Sequence, residues 1–269
     1  MSNIPSAVVK RLTTAVPKFK RILGKAKERD VNESDTVTII TDMLEEIFGF
    51  DKYSEITREY AIQGTYCDLA IKTNKRIEYL IEVKAIGLDL NNKHLKQAVN
   101  YASREGIKWV VLTNGMQWEM HRVSLEEKVH NERIFSIDFS DINVNKKDQH
   151  ELLYLLCKRG VQNNLIGDYY EYRQSVNRYT IGALLVTDSV INAVRKELKK
   201  FKDGIKVDSD EIGEIIRSEV IKREVLESDA GMEADKQLTK FLKKQEREKA
   251  KTKKSVPTPA PEIEVQNQH

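Results

Sequence analysis

Asp68, Glu82 and Lys84 are charged residues set inside apolar runs of strand length, where a charge is costly unless something compensates it. The runs are Tyr66-Cys67-Asp68-Leu69-Ala70-Ile71 and Tyr79-Leu80-Ile81-Glu82-Val83-Lys84-Ala85, joined by the polar segment Lys72-Thr73-Asn74-Lys75-Arg76. Two such runs around a short polar turn predict a β-hairpin. Strand side chains alternate, so Glu82 and Lys84 share one face while Ile81, Val83 and Ala85 share the other. With Lys72 opposite Glu78, antiparallel register sets Asp68 opposite Glu82. Two carboxylates and an ammonium then converge on one patch of sheet. Such a patch can bind a divalent metal and hydrolyse phosphodiester bonds. A partly buried ion pair at a sheet end is the competing reading, and the triplet alone does not separate the two.

The elements around the hairpin follow from pattern and caps. Asn32-Glu33-Ser34-Asp35 opens a helix whose Val37, Ile40, Leu44, Ile47 and Phe48 recur at helical spacing before Gly49. Strands are predicted at roughly 55–62, 65–72 and 77–85. Asn91 and Asn92 cap a helix that runs to about Glu105, with Leu95, Val99 and Ala102 as its buried stripe. Gln97 and Tyr101 lie four residues apart on a common face of that helix. Lys108–Thr113 reads as a buried strand, Asn114-Gly115 as a hairpin turn, and Gln117–Val123 and Arg133–Phe139 as the strands after it. This order predicts an α/β domain with a mixed sheet.

Beyond about residue 143 the pattern is helical. Leu152, Leu153, Leu155 and Leu156 open it, Ile181–Phe201 continues it, and Ser209-Asp210-Glu211 starts a helix expected to reach Leu226. The expected division is a basic N-terminal segment (1–30), an α/β domain (31–142), a smaller all-helical region (143–230) and a charged, flexible tail (231–269). Within the first segment only Pro17–Arg29 is predicted helical, and Gly24 weakens even that. The Pro-rich stretch from Ser255 is expected to be disordered.

Composition bounds the classes. With 269 residues, 40% hydrophobic and 32% charged, the chain can bury one substantial core and a smaller second unit. No apolar run reaches membrane-spanning length and no secretory signal pattern opens the chain, so no membrane association is expected. Cys67 and Cys157 cannot build a disulfide framework, which suits a reducing, cytoplasmic setting. The net charge of +3 is uneven: residues 1–29 carry eight Lys/Arg against one Glu, and residues 236–254 carry nine against two, which leaves an acidic body. Basic ends can contact nucleic-acid phosphates or simply keep helices soluble, and composition leaves both open. His94, His121, His130 and His150 show no zinc spacing with the cysteines, and no Gly-x-Ser-x-Gly occurs.

Several of these pieces, in order, resemble the core of the PD-(D/E)XK nuclease superfamily, and more closely the N-terminal nuclease domain of type I restriction enzyme R subunits. They are Asn32-Glu33 at a helix start, Tyr66-Cys67-Asp68, Ile81-Glu82-Val83-Lys84-Ala85, Gln97 through Tyr101, and Leu112-Thr113-Asn114-Gly115. The resemblance covers roughly residues 30–140. It departs from the superfamily where Cys67, not proline, precedes Asp68. No Gly-x-x-x-x-Gly-Lys-Ser/Thr loop occurs, so the ATP-driven motor of R subunits and a nucleotide cofactor are not expected.

The resemblance implies a restriction-endonuclease-like mixed β-sheet flanked by helices and a metal-dependent DNA endonuclease active in DNA defence or repair. It implies Mg²⁺, with Mn²⁺ as a substitute, held by Asp68, Glu82 and the backbone carbonyl of Val83. Lys84 would orient the attacking water or stabilise the transition state. Glu33 would complete the metal shell or merely complement the helix dipole. Gln97 and Tyr101 would contact DNA or position Lys84, or merely pack the helix on the sheet. A catalytically inactive nuclease-fold module for nucleic-acid binding or assembly is the alternative. Cleaving a duplex normally needs two sites, so a homodimer, or a partner protein docked through the helical region, is a natural expectation.

Overall fold

The computed structural model describes residues 4–62, 65–124, 129–202 and 204–254. These residues form a six-stranded mixed sheet flanked by helices and a helical C-terminal region, with eleven α-helices and one π-helical turn among the described residues. Two compact units are present, Met1–Glu171 and Tyr172–His269.

The first helix, α1, spans Ser6–Glu28 and not only the segment after Pro17. Its Val8, Leu12, Val16, Phe19 and Leu23 recur every three or four residues and are buried in the main core. Pro17 inside a helix costs about 3 kcal/mol. Each large apolar side chain fully buried contributes about 1.5–3 kcal/mol, so the stripe outweighs the proline and the helix continues through it. The basic N-terminal segment is therefore a core element whose outer face is basic. Arg11 ties α1 to the next helix, its Nε donating to the carbonyl of Ile47 at 2.9 Å.

Helix α2 (Glu33–Glu46) starts where the sequence places it. Asn32 Oδ1 accepts from the N–H of Asp35 at 2.9 Å, and Glu33 and Asp35 lie in the first turn. Strands β1 (Ile56–Ile62), β2 (Thr65–Thr73) and β3 (Arg76–Val83) follow as an antiparallel meander. Asn74 and Lys75 form a two-residue turn with φ of 49° and 64°, the left-handed pair that matches strand twist.

Helix α3 (Asn92–Arg104) crosses from β3 to β4 (Trp109–Thr113), which pairs parallel to β3; β5 (Gln117–Ser124) and β6 (His130–Asp138) complete the sheet in sequence order. Both faces of the central strands are covered, which is why they read as nearly continuous apolar runs. Leu69, Ile71, Tyr79, Ile81 and Val83 pack into the core built with α1 and α2. Ala70, Leu80, Val110 and Leu112 pack against Leu95, Ala98, Val99 and Ala102 of α3. Helices α4 (Lys147–Leu156) and α5 (Lys158–Gln162) join the first core through Leu153, Leu156 and Val161, and α6 (Leu165–Ser175) follows.

In the second unit the expected long helices are broken into shorter ones. Ile181–Phe201 becomes α7 (Arg178–Leu185) and α8 (Asp188–Phe201). The helix expected from Ser209 to Leu226 becomes α9 (Ser209–Ile215), a π-helical turn over Ile216–Val220, and α10 (Arg223–Glu227). The described part of the charged segment expected to be a flexible tail (231–269) lies in helix α11 (Asp229–Lys254), which packs against α7. Its run of Lys, Glu, Gln and Ala carries high helix propensity and no proline. The Pro-rich stretch from Ser255 lies outside the described residues.

Candidate active site

The hairpin forms with one correction to its register. Lys72 faces Ile77, not Glu78, because the ladder shifts at Ile71/Lys72. The shift lies on the turn side, so beyond it Leu69 faces Ile81, and the next step along the ladder sets Asp68 across from Glu82. The expected convergence therefore survives a wrong pair at the turn.

At this end of β3 the backbone completes the arrangement. The N–H of Val83 donates to Asp68 Oδ2 at 2.7 Å, which fixes the carboxylate beside the strand. The N–H and carbonyl of one extended residue point to the same side, so the Val83 carbonyl also faces the Asp68 side. The N–H of Lys84 points the other way, to the carbonyl of Thr113 at 2.8 Å, and so stitches the site to β4.

Lys84 is the hub. Its Nζ lies 2.8 Å from Glu82 Oε1 and 3.3 Å from Glu33 Oε2. Side-chain exposure is 9% for Glu82, 16% for Lys84 and 47% for Glu33. The Glu33 contact is thus a half-solvated pair of small energetic weight, whereas the Lys84–Glu82 pair is one whose separation would strand a buried charge. The cap at Asn32 starts α2 so that Glu33, its first residue, reaches the end of β3.

The electrostatics follow from burial. Desolvation, then the charge of Asp68, pushes Glu82 up to about 7, against the opposing Lys84 contact. Desolvation likewise raises Asp68, opposed by its Val83 hydrogen bond and by Lys84. Burial on its own would lower Lys84, but Glu82, Glu33 and Asp68 together raise it, so it remains an ammonium. Three carboxylates facing one ammonium leave a negative excess that a divalent cation would offset. The donors are all oxygen, as hard cations prefer. Among the described residues no group of three or more His, Cys, Asp and Glu side chains could hold a metal by itself. Asp68, Glu82 and the Val83 carbonyl fit an ion such as Mg²⁺, which keeps several waters and takes few protein ligands.

Gln97 and Tyr101 lie beside the site but are engaged with each other and with β2. Gln97 Nε2 donates to Tyr101 Oη at 2.7 Å and to the carbonyl of Tyr66 at 3.0 Å, two residues before Asp68. The Tyr101 ring is buried among Leu95, Ala98 and Leu112. Thr113 and Asn114 perform turn chemistry: Thr113 Oγ1 accepts from Gly115 N–H at 2.9 Å, and Asn114 Oδ1 from Gln117 N–H at 2.8 Å. Cys67, where the superfamily has proline, is buried, its thiol pushed up to about 12, so it stays protonated.

Glu59 was not singled out by the sequence. It falls between the pairs Arg58–Leu69 and Tyr60–Cys67, opposite Asp68, with φ of 46°, and its charge helps to raise Asp68. Nothing in the local pattern marks it, because its place opposite Asp68 is set by the pairing of β1 with β2.

Residues 39–137 match the family described as type I restriction enzyme R protein N terminus (HSDR_N). No curated protein and no solved structure matches the chain. The matched span contains Asp68, Glu82, Lys84, Gln97 and Tyr101 and begins after Glu33. Over the span from before β1 to the end of β6 the chain is therefore similar to the N-terminal domain of type I restriction enzyme R proteins.

Proposed function

We propose that this domain is a Mg²⁺-dependent DNA endonuclease of the PD-(D/E)XK type, hydrolysing phosphodiester bonds in DNA defence or repair. The observation that carries the reading is the meeting of Asp68, Glu82 and Lys84 at one end of the central strand pair, backed by the Val83 carbonyl. Asp68, Glu82 and Val83 would hold the cation, which when bound neutralises charge on the scissile phosphate and acidifies water. Lys84 stays protonated, so it acts as a donor and a positive charge, orienting the attacking water or stabilising the crowded phosphate, not as a base. Glu33 holds the Lys84 ammonium from the helix side. Gln97 and Tyr101 act as positioning residues, fixing the β2 backbone that carries Asp68.

One observation favours the alternative of a non-cleaving module: Lys84 is already satisfied by Glu82 and Glu33, a network closed on itself. Such a module would meet DNA or a partner protein. The second unit offers a place for the latter, or for a second copy of the chain, in exposed Phe201, Val220, Met232 and Phe241.

Plasmid and linear DNA incubated with protein in Mg²⁺ or Mn²⁺, beside Asp68→Ala and Lys84→Ala, separates the readings. Cleavage lost in both variants supports the nuclease. DNA binding without cleavage under every condition supports the module.

A further inference from the structure

Helix α1 carries a feature that its place in the core does not explain. Gly24 lies inside its last two turns, although glycine is the poorest helix former after proline. A side chain there would meet no neighbour within 4 Å, so packing does not demand the glycine. Its neighbours on the helix surface, three and four residues away, are Lys20, Arg21, Lys27 and Glu28. The bare spot is thus ringed by three cations and one carboxylate, with Lys25 beside it and Lys10 further along the outer face.

The helix that carries these charges is fixed, and the charges are not cancelled. Leu12, Val16, Phe19 and Leu23 anchor the opposite side of α1 in the core. Among the described residues Lys10, Arg21, Lys25 and Lys27 have no ion-pair partner. Lys20 Nζ donates to a neutral group, the carbonyl of Ile142, at 3.1 Å. This end of α1 lies at the carboxylate end of the sheet. Lys27 lines a small cleft with Leu88, Asp89 and Asn114, just beyond the ends of β3 and β4. Helix α2 starts five residues after α1 ends, and its Glu33 reaches Lys84 at 3.3 Å. A phosphodiester approaching Asp68, Glu82 and Glu33 meets a negative excess, so cations beside the site must supply the attraction.

We propose that the outer face of α1 is a docking surface for duplex DNA, with one phosphate strand seated against Gly24 between Lys20, Arg21 and Lys27. The missing side chain lets the nucleic-acid backbone come close to the helix backbone, a use to which glycine is suited. The cations neutralise phosphates and release counterions, a contact that positions the duplex without reading its sequence. The inference takes its partner, DNA, from the nuclease reading, but it is tested by binding alone.

The test titrates a labelled DNA duplex, several helical turns long, with the full chain at a series of salt concentrations, read by anisotropy. Divalent metal is left out so that no strand is cut. Arg21→Gln with Lys25→Gln, both exposed, should weaken binding about tenfold and lower the salt slope by about two. Gly24→Leu keeps every charge and improves helix propensity, so it should preserve or raise the melting temperature while weakening binding at least fivefold. Lys75→Gln with Arg76→Gln, at the turn end of the hairpin away from the carboxylates, should leave affinity and slope unchanged. Undiminished binding by Gly24→Leu, an unchanged slope in the α1 pair, equal loss in the Lys75 and Arg76 variant, or no binding at all would each overturn it. Binding that follows the expected pattern without cleavage in Mg²⁺ would uphold the surface and remove the nuclease. Cleavage in Mg²⁺ with binding insensitive to the α1 changes would do the reverse.

Discussion

Lys84 and Glu82 lie two residues apart on one strand, their charged atoms 2.8 Å apart in a setting where both side chains are largely buried. One ammonium thereby restrains a carboxylate that desolvation and Asp68 drive toward the neutral form. The pair makes the site sensitive to protons.

Glu82 has an ordinary value of 4.5 and is raised to about 7 in the fold. Between those values the native state binds a proton that the unfolded chain does not. Its contribution to stability is therefore fully present below about pH 4.5 and is lost as pH rises through about 7. The loss is on the order of 3 kcal/mol. Chemical unfolding of Glu82→Gln at pH 5 and pH 8 should show this component removed. Divalent affinity runs in the opposite sense and should rise as pH passes 7, with proton release visible by calorimetry in two buffers.

Gln97 and Tyr101 separate positioning from DNA contact. Tyr101→Phe removes the acceptor of the 2.7 Å bond and should cost about 0.5–1.5 kcal/mol of stability. If Gln97 acts by holding the Tyr66 carbonyl, Gln97→Leu lowers kcat several-fold with little change in KM. A raised KM at constant kcat would instead make it a DNA contact.

How much of this was legible in the sequence differs by element. The hairpin and its charges were legible because apolar runs of strand length and a polar turn are local signals. The 72–78 pairing was not, because Asn74 and Lys75 both adopt left-handed backbone and the ladder slips at Ile71/Lys72. The slip spared the site only because it falls on the turn side. Helix α1 was half hidden by Pro17, whose local cost tertiary burial overrides. The opposition of Glu59 to Asp68 depends on strand pairing, which no local pattern encodes.

Helix α1 yields a stability prediction. Phe19 is buried, so Phe19→Ala should cost about 3–5 kcal/mol in urea unfolding. Replacing the exposed Lys10 and Arg21 by Gln should leave stability within about 0.5 kcal/mol. If α1 also contacts DNA, that pair of changes should lower the salt slope of binding by about two.

The most direct measurement of the central claim is DNA cleavage by the purified chain in Mg²⁺ or Mn²⁺, with Asp68→Ala and Lys84→Ala run alongside. Metal-dependent nicking or linearisation of plasmid is expected, falling at least a hundredfold in either variant and disappearing with chelator. Cleavage that persists unchanged in both variants, or no cleavage by the unmodified chain with either metal, would contradict it.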